Sequence, residues 1–123
     1  MRKAFTGVCL VTTDVVQLRT FYEDVLQAEA DGDEIHSVVP RENPVLAIYN
    51  PALHGESTIP VHDSGGGSVV LQFQVDDVDA EYERLVGLGV EMIQPPTTHP
   101  WGSRAMQFYD PDRNLVTFYT VVS

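Results

Sequence analysis

The sequence predicts an α+β fold built from two modules of the same order, strand-helix-strand-strand-strand (βαβββ). Three observations lead there. A β-rich segment runs through an aspartate into an amphipathic helix twice, once in each half of the chain. Each helix is followed by short strand-like segments separated by turn-forming residues. Residues 64–68, with Gly65, Gly66 and Gly67 at their centre, lie just past the midpoint of the 123 residues and read as a flexible linker. The length suits one domain, with module 1 over about 1–63 and module 2 over about 69–123.

The first predicted strand, 5–12 (FTGVCLVT), is rich in β-branched and aromatic side chains. Asp14 then serves as N-cap to a helix over 15–27. In that helix Val15, Leu18, Tyr22, Val25 and Leu26 share one face, with Gln17, Arg19, Glu23 and Asp24 mostly away from it. Strands follow at 28–31, 35–39 and 45–49, and Pro40-Arg41-Glu42-Asn43-Pro44 turns the chain before the last of them. In the second half, the strand 68–75 (SVVLQFQV) leads into the cap Asp77. Val78, Tyr82, Leu85 and Leu88 line the next helix, and Gly87 and Gly89 end it. Strands at 91–94, 104–109 and 115–122 complete the module, with Asp110-Pro111-Asp112-Arg113-Asn114 as the final turn.

Strand parity assigns faces. Leu71, Phe73 and Val75 belong beneath the second helix, which leaves Val70, Gln72 and Gln74 on the opposite face. Two neighbouring glutamines cannot enter an apolar core unpaired, at about 1–3 kcal/mol per group, so they meet water, partners or a ligand. By the repeat, Gly7, Cys9 and Val11 occupy the equivalent face of the first module.

Charge narrows the function classes. The chain has 18 Asp and Glu against 7 Lys and Arg, a formal charge of −11, and Lys3 is its only lysine. Nucleic acid and anionic membranes attract the opposite balance, so neither is expected as a partner. The acids concentrate in 23–34 and 76–83, an exterior that solvates the protein and steers a cationic ligand. The single cysteine, Cys9, excludes an internal disulfide and fits a reducing, cytoplasmic setting. No secretory leader and no apolar run of about 18 residues is visible. Nucleotide-cradle, hydrolase-elbow and zincin motifs are absent, and the triple glycine precedes a strand rather than a helix.

The repeated βαβββ order, the segments TTDVVQLRTFYEDVL and VDDVDAEYERLVGLGV, and above all PWGSRAMQFYDPDRNLVTFY resemble the vicinal oxygen chelate superfamily. That group contains glyoxalase I, bleomycin-resistance proteins and extradiol dioxygenases. The resemblance spans nearly the whole chain apart from about 51–63, and the DPD-x-N turn is its most specific piece. It implies curled mixed sheets around a shared cleft, commonly in a homodimer. In metal-dependent members it implies a histidine from each first strand and a glutamate from each last strand.

Carried onto this chain, the first-strand positions are Gly7 and Val70, each seven residues before a capping aspartate. The last-strand positions are Ala47 and Thr117. Three of the four lack a donor atom, and threonine is an uncommon ligand, so no metal and no other cofactor is expected there. Shifting the register by one residue introduces no usual ligand. Displaced ligands such as Glu34, His36 or His99 would support the alternative, a metal-dependent lyase, isomerase or dioxygenase. His54 and His62 fall in a loop and are expected at the surface.

The leading expectation is therefore a metal-independent binder of a small organic ligand, cationic or aromatic, with sequestration of an antibiotic or metabolite as one version. Its candidate site residues are Cys9, Tyr49, Gln72, Gln74, Trp101, Arg104 and Tyr119. Tyr49 and Tyr119 share the face of the emptied metal positions. The resemblance places an aromatic such as Trp101 at the cleft edge. Arg104 is available to grip a carboxylate or to pair with a nearby Asp or Glu. The resemblance also implies glycine where Arg113 stands, so Arg113 is expected in a left-handed backbone conformation costing about 1 kcal/mol.

Overall fold

The computed structural model describes residues 3–40, 44–54 and 69–122. The predicted linker at 64–68, the Arg41-Glu42-Asn43 part of the first turn, and His62 lie outside the described residues. Contacts divide the chain into two units, Met1–Asp63 and Ser64–Ser123.

In the first unit, β1 (Gly7–Val11) leads into α1 (Val15–Leu26), followed by β2 (Asp31–Gly32), β3 (His36–Val39) and β4 (Val45–Tyr49). The sheet order is β1-β4-β3-β2. The outer pair β1 and β4 is parallel, while β4-β3 and β3-β2 are antiparallel. Asp14 starts the helix by accepting from the Gln17 amide at 3.0 Å. The predicted apolar face becomes the core: Val15, Leu18, Tyr22 and Val25 are buried with Leu10, Val39, Leu46 and Ile48. Each fully buried aliphatic side chain contributes about 2 kcal/mol.

The second unit repeats the plan with β5 (Val70–Gln74), α2 (Val78–Gly87), β6 (Met92–His99), β7 (Ser103–Tyr109) and β8 (Leu115–Val121). Its order is β5-β8-β7-β6, with β5 and β8 parallel. Asp77 caps α2 through the Ala80 amide at 3.1 Å. Leu71, Val78, Leu85, Met106, Phe108, Val116 and Phe118 are buried. Phe118 makes edge contacts with Phe108 and Phe73 at 5.1 and 5.8 Å between ring centroids.

Three expectations change. The strand predicted at 28–31 shrinks to Asp31–Gly32, because the backbone before it is used to end α1. Gln27 turns left-handed at φ 51°, the Ala28 amide donates to the Glu23 carbonyl, and the Ala30 amide donates to the Glu23 carboxylate at 3.0 Å. The strand predicted at 91–94 extends to His99, with one register shift between Met92 and Gln94 and a second across Pro95 and Pro96. Leu88 is half exposed at 51% rather than part of the helix's buried face, because α2 has already ended at Gly87.

The DPD-x-N turn is held by buried Asp110, whose carboxylate accepts from the amides of Asp112 and Asn114 and from the Asn114 side chain at 2.8–2.9 Å. Arg113 is left-handed at φ 65°, as expected for a residue standing in a glycine position. Its guanidinium lies 4.1 Å from the centroid of the Tyr109 ring and 3.2 Å from the Glu91 carboxylate, contacts that offset the backbone strain.

Gly7 marks the tightest approach in the first sheet. Its φ is 148°, and a Cβ added there would sit 2.0 Å from the Val45 carbonyl oxygen on the paired strand. Replacing it with alanine is expected to lower stability by about 2–4 kcal/mol through strain and overpacking. Gly89→Ala, at φ 80° with open space around it, is expected to cost only about 1 kcal/mol. Urea unfolding of both variants checks this ordering; equal costs would mean that β1 has slack beside β4.

Candidate functional site

Because side chains alternate along strands and paired residues share a face, the register lists what each open sheet face displays. On the first sheet, Cys9 pairs with Ala47 and Val38, and Val11 pairs with Tyr49, which pairs with His36. The opposite face carries Leu10, Leu46, Ile48 and Val39 into the core beneath α1. The Tyr49 hydroxyl is 2.6 Å from Nδ1 of His54, which follows the short 3-10 turn Pro51–Leu53. His36 packs its ring edge-on to Tyr49 at 5.9 Å. Tyr49 therefore contacts two imidazoles, which the sequence alone did not show because His36 and His54 were considered separately. Cys9 lies beside this group, and partial burial pushes its thiol pKa up, which disfavours the nucleophilic thiolate.

On the second sheet the open face is a series of rows. Val70, Leu115 and Tyr109 form one, and Gln72, Thr117, Gln107 and Gln94 the next. Gln74, Tyr119, Ala105 and Thr97 follow, and Val121, Ser103 and His99 end the series. Gln72 and Gln74 are exposed, Gln94, Gln107 and Tyr119 half-buried, and Thr117 buried. The Gln107 side-chain amide reaches Thr117 Oγ1 at 3.4 Å. Among the described residues, no side-chain hydrogen bond engages the amides of Gln72, Gln74 or Gln94. Gln107 was legible from the parity of 105, 107 and 109. Gln94 was hidden by the register shift between Met92 and Gln94.

The structure thus brings Gln72, Gln74 and Tyr119 together on one face, and Cys9 and Tyr49 together on the face of the other unit. Trp101 projects from the turn between β6 and β7, 74% exposed, with its ring stacked on His99 at 4.4 Å. Arg104 belongs to the other side of the second sheet. It pairs with Thr98 and Thr120, and its guanidinium forms a two-point ion pair with Asp79 of α2 at 2.8 and 2.9 Å, with a further bond to Thr98 Oγ1 at 3.0 Å. Arg104 therefore joins helix to sheet and points away from Gln72 and Tyr119.

The four positions that the family resemblance reserves for metal do not fit a divalent ion. Gly7, Ala47 and Val70 offer no donor, and Gly7 has no room for one, since the Val45 carbonyl fills its Cβ space. Thr117 is buried with its hydroxyl within reach of the Gln107 amide. Among the described residues no three His, Cys, Asp or Glu side chains converge on a point. Nor does any helix of the described residues have the length and apolarity to cross a membrane.

Comparison with known proteins agrees with the geometry. The profile of the family described as Glyoxalase/Bleomycin resistance protein/Dioxygenase superfamily matches residues 5–118. An uncharacterized protein, YraH of Bacillus subtilis, is 33% identical over 69 residues, covering 55% of this chain and 54% of that protein. This match thus spans about half the length of the relative. The fosfomycin resistance protein FosX of Listeria innocua is 27% identical over 94% of this chain and 87% of its own length. Among solved structures, a glyoxalase/bleomycin resistance protein/dioxygenase from Nocardioides superposes with a TM-score of 0.83 at 25% identity, covering 100% of this chain and 86% of that one.

The Arg104 placement has a pH consequence. Hydrogen bonding to Arg104 holds the Asp79 carboxyl below its ordinary value near 3.8. A carboxyl depressed in the folded state stabilises the fold fully above its unfolded pKa, and that contribution fades as pH falls through the folded value. Asp79→Asn and Arg104→Met are each expected to lower the thermal midpoint at pH 7, with the double variant little worse than either single one. The Asp79→Asn deficit should shrink below about pH 3.8. Melting curves across pH check this; a deficit unchanged at pH 2.5 would remove the ion pair as its cause.

Proposed function

The chain belongs to the glyoxalase/bleomycin resistance protein/dioxygenase superfamily, and from that membership we propose that it binds a small organic molecule without using metal at the family's usual positions. Gly7 is the observation that carries this reading. A substitution that merely lost a ligand would leave space for one, whereas here the backbone of β4 occupies the space a side chain would need. Val70, Ala47 and Thr117 give concordant support from residue chemistry alone.

Sequestration of an antibiotic or metabolite is the version of this function we favour. A relative named for fosfomycin resistance aligns with nearly the full chain, which supports an antibiotic-directed role. The residues of the open sheet faces support non-covalent capture: glutamine and threonine supply hydrogen bonds, and Tyr119 and Tyr49 supply flat rings. The reading includes a homodimer in a cytoplasmic setting, where the free thiol of Cys9 persists.

Purified protein examined by native mass spectrometry and elemental analysis is expected to show a dimer with well under one tightly bound divalent ion per chain. Any co-purified organic ligand should stay bound through treatment with a chelator. About one tight ion per chain, with ligand lost on chelation, would defeat the proposal.

A further inference from the structure

The four open rows of the second sheet contain no Asp, Glu, Lys or Arg, in a chain where 20% of residues are charged. What they contain is amide: four of the chain's six glutamines lie there, three of them in one row with Thr117. The guanidinium of Arg113, which lies over Tyr109 of the first row, is already matched by Glu91.

This composition selects among ligands. A charged group moved from water onto a neutral surface loses hydration that no counter-charge replaces. A glutamine side chain presents a carbonyl acceptor beside two N–H donors, so it is best matched by a group that offers a donor and an acceptor side by side. Carboxamides, lactams and ureas have that edge. Gln72 and Gln94, at opposite ends of the row, have amides without side-chain partners among the described residues, while the Tyr119 ring lies in the adjacent row.

We propose that this face is a binding platform for an uncharged, planar ligand carrying a carboxamide or lactam-type edge, read by Gln72, Gln107 and Gln94 and flanked by Tyr119. The inference rests on the small-molecule reading above and specifies its ligand class. It names a neutral ligand where the acidic clusters alone suggest a cationic one, since those acids lie outside these rows.

Benzamide, benzoate and benzamidinium share one planar shape and differ in charge, which makes them a direct probe. With 15N-labelled protein at neutral pH, benzamide is expected to shift the side-chain amide signals of Gln72, Gln94 and Gln107. It should bind about tenfold tighter than either ion, the scale of one neutral hydrogen bond kept or lost. Gln72→Leu, at an exposed position, should weaken benzamide about tenfold without lowering the thermal midpoint; Gln107→Leu should weaken it as much and also lower the midpoint, since it strips the buried Thr117 hydroxyl of its amide partner; and Gln107→Glu should turn the preference toward benzamidinium. Equal or tighter binding of an ion, shifts confined to other residues, or no benzamide binding would overturn the proposal. So would glutamine signals that move on protein dilution alone, since a second copy of the chain would then cover the face. A tight stoichiometric metal would defeat the metal-independent reading while leaving this ranking intact, so the two failures are distinguishable.

Discussion

The parallel pairing of the first and last strand within each unit is the constraint on which the rest of the architecture depends. A parallel neighbour cannot be reached by a tight turn, so the chain must cross over, and the helix and two intervening strands supply that crossover. The helix buries one sheet face and leaves the other open. The same pairing fixes which residues stand side by side on the open face: Cys9 beside Ala47 in one unit, Gln72 beside Thr117 in the other. At Gly7 the pairing is so close that the Val45 carbonyl replaces a side chain.

The two units use this common frame differently. The first builds a compact aromatic group in which the Tyr49 hydroxyl is tied to His54 and its ring meets His36. The second spreads neutral amides over β5, β6 and β7, with the Thr117 hydroxyl of β8 among them. Both faces lack the acid and imidazole sets that would fix a divalent ion at the family positions, yet both keep groups suited to organic ligands. These faces are therefore not built like an ordinary aliphatic core. The helix-bearing faces, by contrast, take Leu, Ile, Val and Phe.

Much of this was legible in the sequence because it depends on period. Alternation in VLQFQ separates Leu71 and Phe73 from Gln72 and Gln74, and the 3.6-residue period of 15–26 picks out the buried Leu18 and Tyr22. Counting back seven residues from Asp14 and Asp77 reaches Gly7 and Val70, which the family resemblance assigns as first-strand metal positions. What escaped depends on contacts between distant residues or on broken periodicity. Arg104 is committed to Asp79, 25 residues earlier, which no local pattern displays. Gln94 enters its row only because a register shift between Met92 and Gln94 brings it opposite Gln107. The reason Gly7 is glycine lies in the carbonyl of Val45, on a strand that parity alone does not place next to it.

The acidic balance acquires a location from the same geometry. Asp77 and Asp79 sit at the start of α2, where carboxylates favour the helix dipole and cap its free amides, and Asp79 also holds Arg104. Asp14 caps α1, and Asp33 accepts from the amides of Ile35 and His36 to shape the turn before β3. These acids serve helix ends and turns, on elements that flank the open faces. An exposed negative field of this kind is screened within about 8–10 Å at physiological salt and acts weakly on a neutral molecule. A ligand chosen by the amide row would therefore be selected by hydrogen-bond geometry and ring contact, with the chain's charge acting on solubility and local folding instead.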